Sequence, residues 1–210
     1  MMKRYFIVGT DTDCGKTYVT CKLVKQLTAQ NKRCLAIKPV ASGCHELADG
    51  QLINDDVQRL QEANGLFDET LCGWSFKPPI APHLAAQNVG VELSAQAITQ
   101  FCMSDRFSTF DYLLIEGAGG LMVPLNEKET WLDFLMLSQI PVILVVGMRL
   151  GCINHALLTA MVLDKHQIHC EGWIANCLVE DMLMLDANID TIAQRLPFPL
   201  LATIPSEPRA

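Results

Sequence analysis

Short apolar runs alternate along the chain with segments of helical spacing. Residues 5–8, 34–37, 112–115, 142–146, 172–175 and 200–204 read as strands. Residues 16–30, 55–64, 94–104, 131–138, 153–166 and 182–196 carry helical patterns between them. The strand runs are near-continuous Val, Ile and Leu, which is the composition of strands covered on both faces. Strands that alternate with helices form right-handed βαβ units, so the expected architecture is α/β, a parallel β-sheet flanked by helices. No internal repeat, low-complexity stretch or linker interrupts the pattern, and a single domain over residues 1–210 is the economical reading. Ligands in such sheets bind beyond the carboxyl ends of the strands, so chemistry is sought in the residues just after each one.

Composition narrows the function classes. Half of the 210 residues are apolar and 19% are charged, which excludes intrinsic disorder. The net charge of −7 leaves no basic footprint, so nucleic acid is not an expected partner. Nine cysteines are scattered with no CxxC pair, the pattern of reduced thiols in an intracellular protein rather than of a zinc site. Lys3 and Arg4 precede an apolar stretch too short for a signal peptide, and the apolar run at 141–148 is far below a membrane span. The expectation is a soluble, cytoplasmic protein with no membrane partner.

After the first strand comes Gly9-Thr10-Asp11-Thr12-Asp13-Cys14-Gly15-Lys16-Thr17, a loop ending in Gly-Lys-Thr at the start of a helix. This is the context of a phosphate-binding loop, in a variant with five residues between the glycines instead of four. Gly15 lets the backbone approach a phosphate, and the helix N-terminus offers N–H groups to an anion. Lys16 supplies a point charge for the β- and γ-phosphates, and the Thr17 hydroxyl suits Mg²⁺.

A phosphate-loop enzyme needs further oxygen ligands around its metal. Glu116 ends the third long strand in Leu114-Ile115-Glu116-Gly117-Ala118-Gly119-Gly120, an expensive place to leave a charge without a function. Asp55 and Asp56 open a helix and read equally well as a second carboxylate or as N-terminal caps. Lys38, in Lys38-Pro39-Val40-Ala41-Ser42-Gly43, follows the second strand and reads either as a second cation for an anionic group or as a solvated lysine.

These blocks, together with Pro141-Val142-Ile143-Leu144-Val145-Val146-Gly147, Leu150-Gly151-Cys152-Ile153-Asn154-His155-Ala156 and Gly172-Trp173-Ile174-Ala175-Asn176, resemble the ordered signature of the dethiobiotin synthetases over roughly the first 205 residues. The resemblance implies a phosphate-loop NTPase-like fold. It implies a ligase that uses ATP and Mg²⁺ to close the ureido ring of dethiobiotin from 7,8-diaminopelargonic acid and CO₂, by way of a carbamate and a carbamic–phosphoric anhydride. It assigns catalysis to Lys16, Lys38 and Thr12. Ser42 would bind substrate. Asp13, Cys14, Gly15, Lys16, Thr17, Tyr18, Asp56, Glu116, Gly119, Asn176 and Pro205 would bind the nucleotide, with Asn176 at the adenine edge and Pro205 packing on the base. Thr17, Asp56 and Glu116 would hold the metal. Gly151, Cys152, Ile153 and Asn154 would take the substrate's distant carboxylate from the neighbouring subunit, which implies a homodimer with sites shared across its interface.

Two positions depart from the family pattern. Asp13 stands where relatives usually carry Glu, and the place near Asn188 lacks a tyrosine that relatives often use on the substrate carboxylate. The short run after Pro205 leads to an expectation of more open base binding. A nucleotide-switch ATPase of the partition or septum-site kind would carry a lysine at position 10, where this chain has Thr10. A cobyrinate-type amidating ligase would need a glutaminase partner. His166 and His169 read as surface residues, 78–83 as a rigid proline loop that the resemblance puts near the substrate, and 182–185 as core or dimer-facing surface.

Overall fold

In a computed structural model, residues 2–48, 50–66, 71–178 and 182–206 are described. Among them the chain runs β1 (Lys3–Gly9), α1 (Lys16–Ala29), β2 (Cys34–Ile37), β3 (Val40–Ser42), β4 (His45–Glu46), β5 (Leu52–Ile53), α2 (Asp55–Asn64), β6 (Trp74–Phe76) and α3 (Pro82–Gln87). It continues through α4 (Ala95–Cys102), a 3-10 turn at Asp105–Phe107, β7 (Tyr112–Gly120), α5 (Trp131–Ser138), β8 (Val142–Met148), α6 (Cys152–Lys165), β9 (Cys170–Cys177), α7 (Leu185–Ala193) and β10 (Leu200–Ile204).

Six strands form one parallel sheet in the order β10-β9-β8-β1-β7-β2. From the central β1 the chain crosses one way to β2, and later returns through β7 to β8 on the other side. The carboxyl ends of β1, β7 and β8 therefore converge where the strand order reverses, which is where an open α/β sheet binds ligands. Successive residues of β1 point to opposite faces. Phe6 and Val8 enter an apolar layer shared with Trp131 and Phe134 of α5 and Ala156, Ala160 and Leu163 of α6. Ile7 enters a second layer with Val19 and Val24 of α1 and Leu60 of α2. Two cores, one on each face, fix the sheet rigidly beneath the loops.

The α/β expectation holds, and several details differ from it. β7 does not stop at Glu116 but continues through Gly117 and Ala118 to Gly120, where it pairs with Gly9. Bare glycine backbone is favoured here because a Cβ on Gly117 would lie 2.6 Å from Cζ of Phe6. The proline loop contains α3, which has Pro82 in its first turn, where a missing N–H costs nothing. The short parallel pair β3–β6 and the hairpin β4–β5 lie outside the main sheet. Helix α7 is shorter than its pattern, with Leu183 and Met184 exposed before it and Met182 and Leu185 packed on the core. Burial on both faces fails for β10, an edge strand whose Leu200 and Leu201 are exposed. All nine cysteines are free thiols. No described helix is long and apolar enough to cross a membrane.

Candidate active site

The loop between β1 and α1 wraps the carboxyl end of the sheet. Gly15 caps α1 with φ +85°, a left-handed conformation that glycine adopts freely. A Cβ there would collide with Nδ2 of Asn176, so the same residue is required twice over. Asp13 also has positive φ, at 57°. The loop is braced from three sides. Asn176 Nδ2, at the end of β9, donates to the Cys14 carbonyl at 2.9 Å. Lys16 Nζ donates to the Asp11 carbonyl at 3.0 Å. The Asp11 carboxylate pairs with Arg149, just past β8.

Beneath the loop lies a cavity of about 740 Å³. Thr12, Asp13, Gly15, Lys16, Thr17, Tyr18, Lys38, Ser42, Asp56, Glu116 and Gly119 all line it. Eleven residues proposed from the sequence thus share one wall-to-wall space. Four segments far apart in the chain meet there. α1 brings Lys16 and Thr17, the end of β2 brings Lys38, α2 brings Asp56, and β7 brings Glu116. Asn54 caps α2, its side-chain oxygen accepting from Asp56 N at 3.0 Å and Val57 N at 3.3 Å. Neither Asp55 nor Asp56 is therefore the cap, and the Asp56 carboxylate turns inward. Asn54 Nδ2 also donates to the Ser42 carbonyl at 2.9 Å, tying β3 to α2.

The centre of the site is a charged cluster. Lys38 Nζ lies 2.7 Å from Asp56 Oδ2 and 2.7 Å from Glu116 Oε1. The Thr17 hydroxyl donates to the same Glu116 oxygen at 2.8 Å. Lys38 is buried and Glu116 wholly so. Burial works against the Lys38 ammonium, but the Glu116 and Asp56 carboxylates outweigh it and raise its pKa. Burial likewise works against ionised Asp56, and the Lys38 charge overrides it and holds the carboxyl below its ordinary value. The solvated-lysine reading of Lys38 is thereby excluded.

Glu116 Oε2 is buried and accepts no hydrogen bond from the described residues. An orphaned carboxylate oxygen beside a hydroxyl and a second carboxylate is a hard-oxygen donor set that fits Mg²⁺, a cation that keeps part of its shell for water and phosphate. Thr17, Asp56 and Glu116 would hold it.

Other expected residues lie outside the cavity wall. Cys14 is buried within the loop, and Asn176 sits behind the loop with Ile204 of β10 beside it in register. Pro205 follows directly. Gly151, Cys152, Ile153 and Asn154 form the start of α6, where Gly151 caps the helix with φ +96° and Cys152 N donates to the Arg149 carbonyl at 3.0 Å. Pro79, Ile80, Ala81 and Pro82, from the loop that the resemblance puts near the substrate, also line the cavity, as do Arg59, Ala118 and Val123, which had no distinct sequence signal. Arg59 stands one turn beyond Asp56 on α2, a spacing that could have flagged it.

The parallel sheet with its ligand loop after the first strand defines a phosphate-loop nucleoside triphosphatase fold. Solved structures agree on that fold. The cell-division ATPase MinD of Pyrococcus furiosus superposes with a TM-score of 0.61 at 20% identity, covering 99% of this chain and 85% of that one. The septum site-determining protein MinD of Pyrococcus horikoshii, solved with Mg-ADP, gives 0.58 at 19% identity, covering 99% and 83%. A family model described as an AAA domain matches residues 3–210. The ATP-dependent dethiobiotin synthetase BioD of Legionella pneumophila (strain Paris) is 54% identical over 96% of this chain and 92% of its own length. That of Pseudoalteromonas translucida is 44% identical over 97% and 90%. The chain belongs to the ATP-dependent dethiobiotin synthetase family.

Proposed function

We propose that the chain closes the ureido ring of dethiobiotin from 7,8-diaminopelargonic acid and CO₂ at the expense of ATP. The observation that carries this reading is the convergence of Lys16 and Lys38 with Thr17, Asp56 and Glu116 on one cavity below the phosphate loop. One amine of the substrate captures CO₂ as a carbamate. A carbamate oxygen attacks the γ-phosphorus in line, forming a carbamic–phosphoric anhydride and releasing ADP. The second amine then attacks the activated carbonyl, closes the ring and expels phosphate.

Lys16 and the helix N-terminus stabilise negative charge on the transferring phosphoryl group, as fixed cations and N–H donors do in phosphoryl transfer. Lys38 faces the carbamate across the same space. Thr12 and Ser42 hydrogen-bond the carbamate and phosphate oxygens. Thr17, Asp56 and Glu116 would hold Mg²⁺, which would supply positive charge against the phosphate oxygens. Asp13, Tyr18 and Gly119 border the nucleotide, and Asn176 and Pro205 meet the base.

The start of α6 serves the site of a second copy, where its N–H groups receive the substrate carboxylate. Leu150 is fully exposed, and α6 presents Leu158 and Met161 to solvent, an apolar surface consistent with a homodimer. With no tyrosine near Asn188, carboxylate binding relies on these N–H groups. The protein works in the cytoplasm.

The test is turnover with ATP, Mg²⁺, bicarbonate and 7,8-diaminopelargonic acid, with dethiobiotin followed by mass spectrometry. Product formation dependent on all four supports the reading. Absence of product, with ATPase activity stimulated by another protein, overturns it in favour of a nucleotide switch.

A further inference from the structure

The Lys38 ammonium bridges two of the three proposed metal donors and shares a Glu116 oxygen with the third. It touches Asp56 Oδ2 and Glu116 Oε1, each at 2.7 Å, and Thr17 bonds to that same Glu116 oxygen at 2.8 Å. We propose that Lys38 and the divalent cation are alternative occupants of one carboxylate pair. Loading the metal would then displace the lysine and release it toward the anionic substrate. The proposal rests on the metal-dependent reading of the site given above and adds an order of events to it.

Charge is the first argument. Lys38, Asp56 and Glu116 together carry −1. Adding a dication without moving the lysine would crowd two cations onto two carboxylates in a buried setting, where like charges repel strongly. Moving the lysine out leaves the dication and two carboxylates neutral and frees one positive charge for an anion. Hydrogen bonding is the second argument. Glu116 Oε1 already receives both Thr17 and Lys38, while Oε2 receives nothing from the described residues. A metal engaging Glu116 and the Thr17 hydroxyl would redistribute that lopsided load. Mobility is the third. The Lys38 backbone is pinned, its N–H donating to the Leu71 carbonyl at 2.9 Å, but the four-carbon side chain carries its charge on rotatable bonds. Lys38 also lines the open cavity, so its head group has somewhere to go. A lysine released only by metal would meet the carbamate only in a site already loaded for phosphoryl transfer.

The experiment measures Mn²⁺ affinity of nucleotide-free protein by electron paramagnetic resonance. Lys38→Met is expected to bind Mn²⁺ on the order of tenfold or more tightly than the wild type, because a competing charge is removed. Equal or weaker binding would overturn the proposal. In the double variant Lys38→Met/Asp56→Asn the gain should vanish, and a gain that persists also argues against it. Should Lys38→Met fail to fold, the wild type itself provides the readout through peptide-resolved acetylation of lysines. Labelling of Lys38 is expected to rise several-fold and saturably with added Mg²⁺, and a flat rate would refute displacement. These measurements use no substrate. Loss of dethiobiotin formation would therefore sink the proposed function alone, and failure of metal competition would sink this inference alone.

Discussion

Asn176 at the end of β9 donates its side-chain N–H to the carbonyl of Cys14, 162 positions earlier, at 2.9 Å. The contact is buried and joins the edge half of the sheet to the phosphate loop. Asn176→Ala would leave the Cys14 carbonyl without that donor. A buried acceptor stripped of its partner costs about 1–3 kcal/mol. The variant is expected to unfold at lower denaturant and to bind ATP more weakly, since the loop loses its brace. Unchanged values of both, by denaturation and calorimetry, would show the bond to be incidental.

Gly147 in β8 supports the same loop from below. A Cβ at this position would lie 2.9 Å from the Cys14 Cα and 2.8 Å from Cδ1 of Leu178. The leucine can turn aside, whereas the loop backbone cannot move without altering its N–H groups. Gly147→Ala should cost roughly 1–3 kcal/mol of stability through overpacking. It should also raise the KM for ATP more than it lowers the melting temperature alone would explain. A variant with wild-type nucleotide affinity would show that the loop tolerates displacement.

The Lys38–Asp56–Glu116 cluster sets a pH window for stability. Lys38 is raised above its ordinary 10.5, so its stabilising contribution is complete below that pH and is lost as pH climbs through the raised value. Asp56 is lowered below its ordinary 3.8, so its contribution is complete above that pH and is lost as pH falls through the lowered value. Between those limits the pairing is constant. Glu116→Gln should therefore destabilise the fold by on the order of 3 kcal/mol, the cost of stripping one partner from a buried pair. The deficit in denaturant midpoint relative to wild type should be the same at pH 5, 7 and 9. A deficit that shrinks across that range would mean another group controls the cluster.

Much of this arrangement is legible in the sequence because it is local. The βαβ rhythm, the Gly15-Lys16-Thr17 turn and the charged residues after strands lie in short contiguous segments. What stays hidden depends on packing. Glycines at 117, 119 and 120 look like a strand ending, yet β7 runs on to pair Gly120 with Gly9, and Phe6 leaves no room for a side chain at Gly117. Pro82 looks like loop and opens α3 instead. β3 and β6 have three residues each, too few to show a period. Arg59 stands one turn beyond Asp56, and the way α2 lies across the cavity makes it part of the wall. The role of Asp56 turned on a neighbour, since Asn54 took the capping position that either aspartate could have filled.

The proposed sharing of sites between two copies can be read from mixed dimers. Lys16→Ala removes the phosphate-facing cation. Gly151→Val places a β-branched residue at φ +96°, a conformation such residues avoid, and should disturb the N–H groups that open α6. Each variant alone is expected to turn over slowly. If the site takes its phosphate loop from one copy and its α6 start from the other, a mixed dimer holds one site built entirely from intact parts. Random exchange of equal amounts makes half the dimers mixed, each with one good site of two, so about a quarter of wild-type activity should return. The activity should appear only after conditions that allow subunits to exchange, and it should carry the wild-type KM for 7,8-diaminopelargonic acid. No recovery after demonstrated exchange would place both elements in the same chain's site.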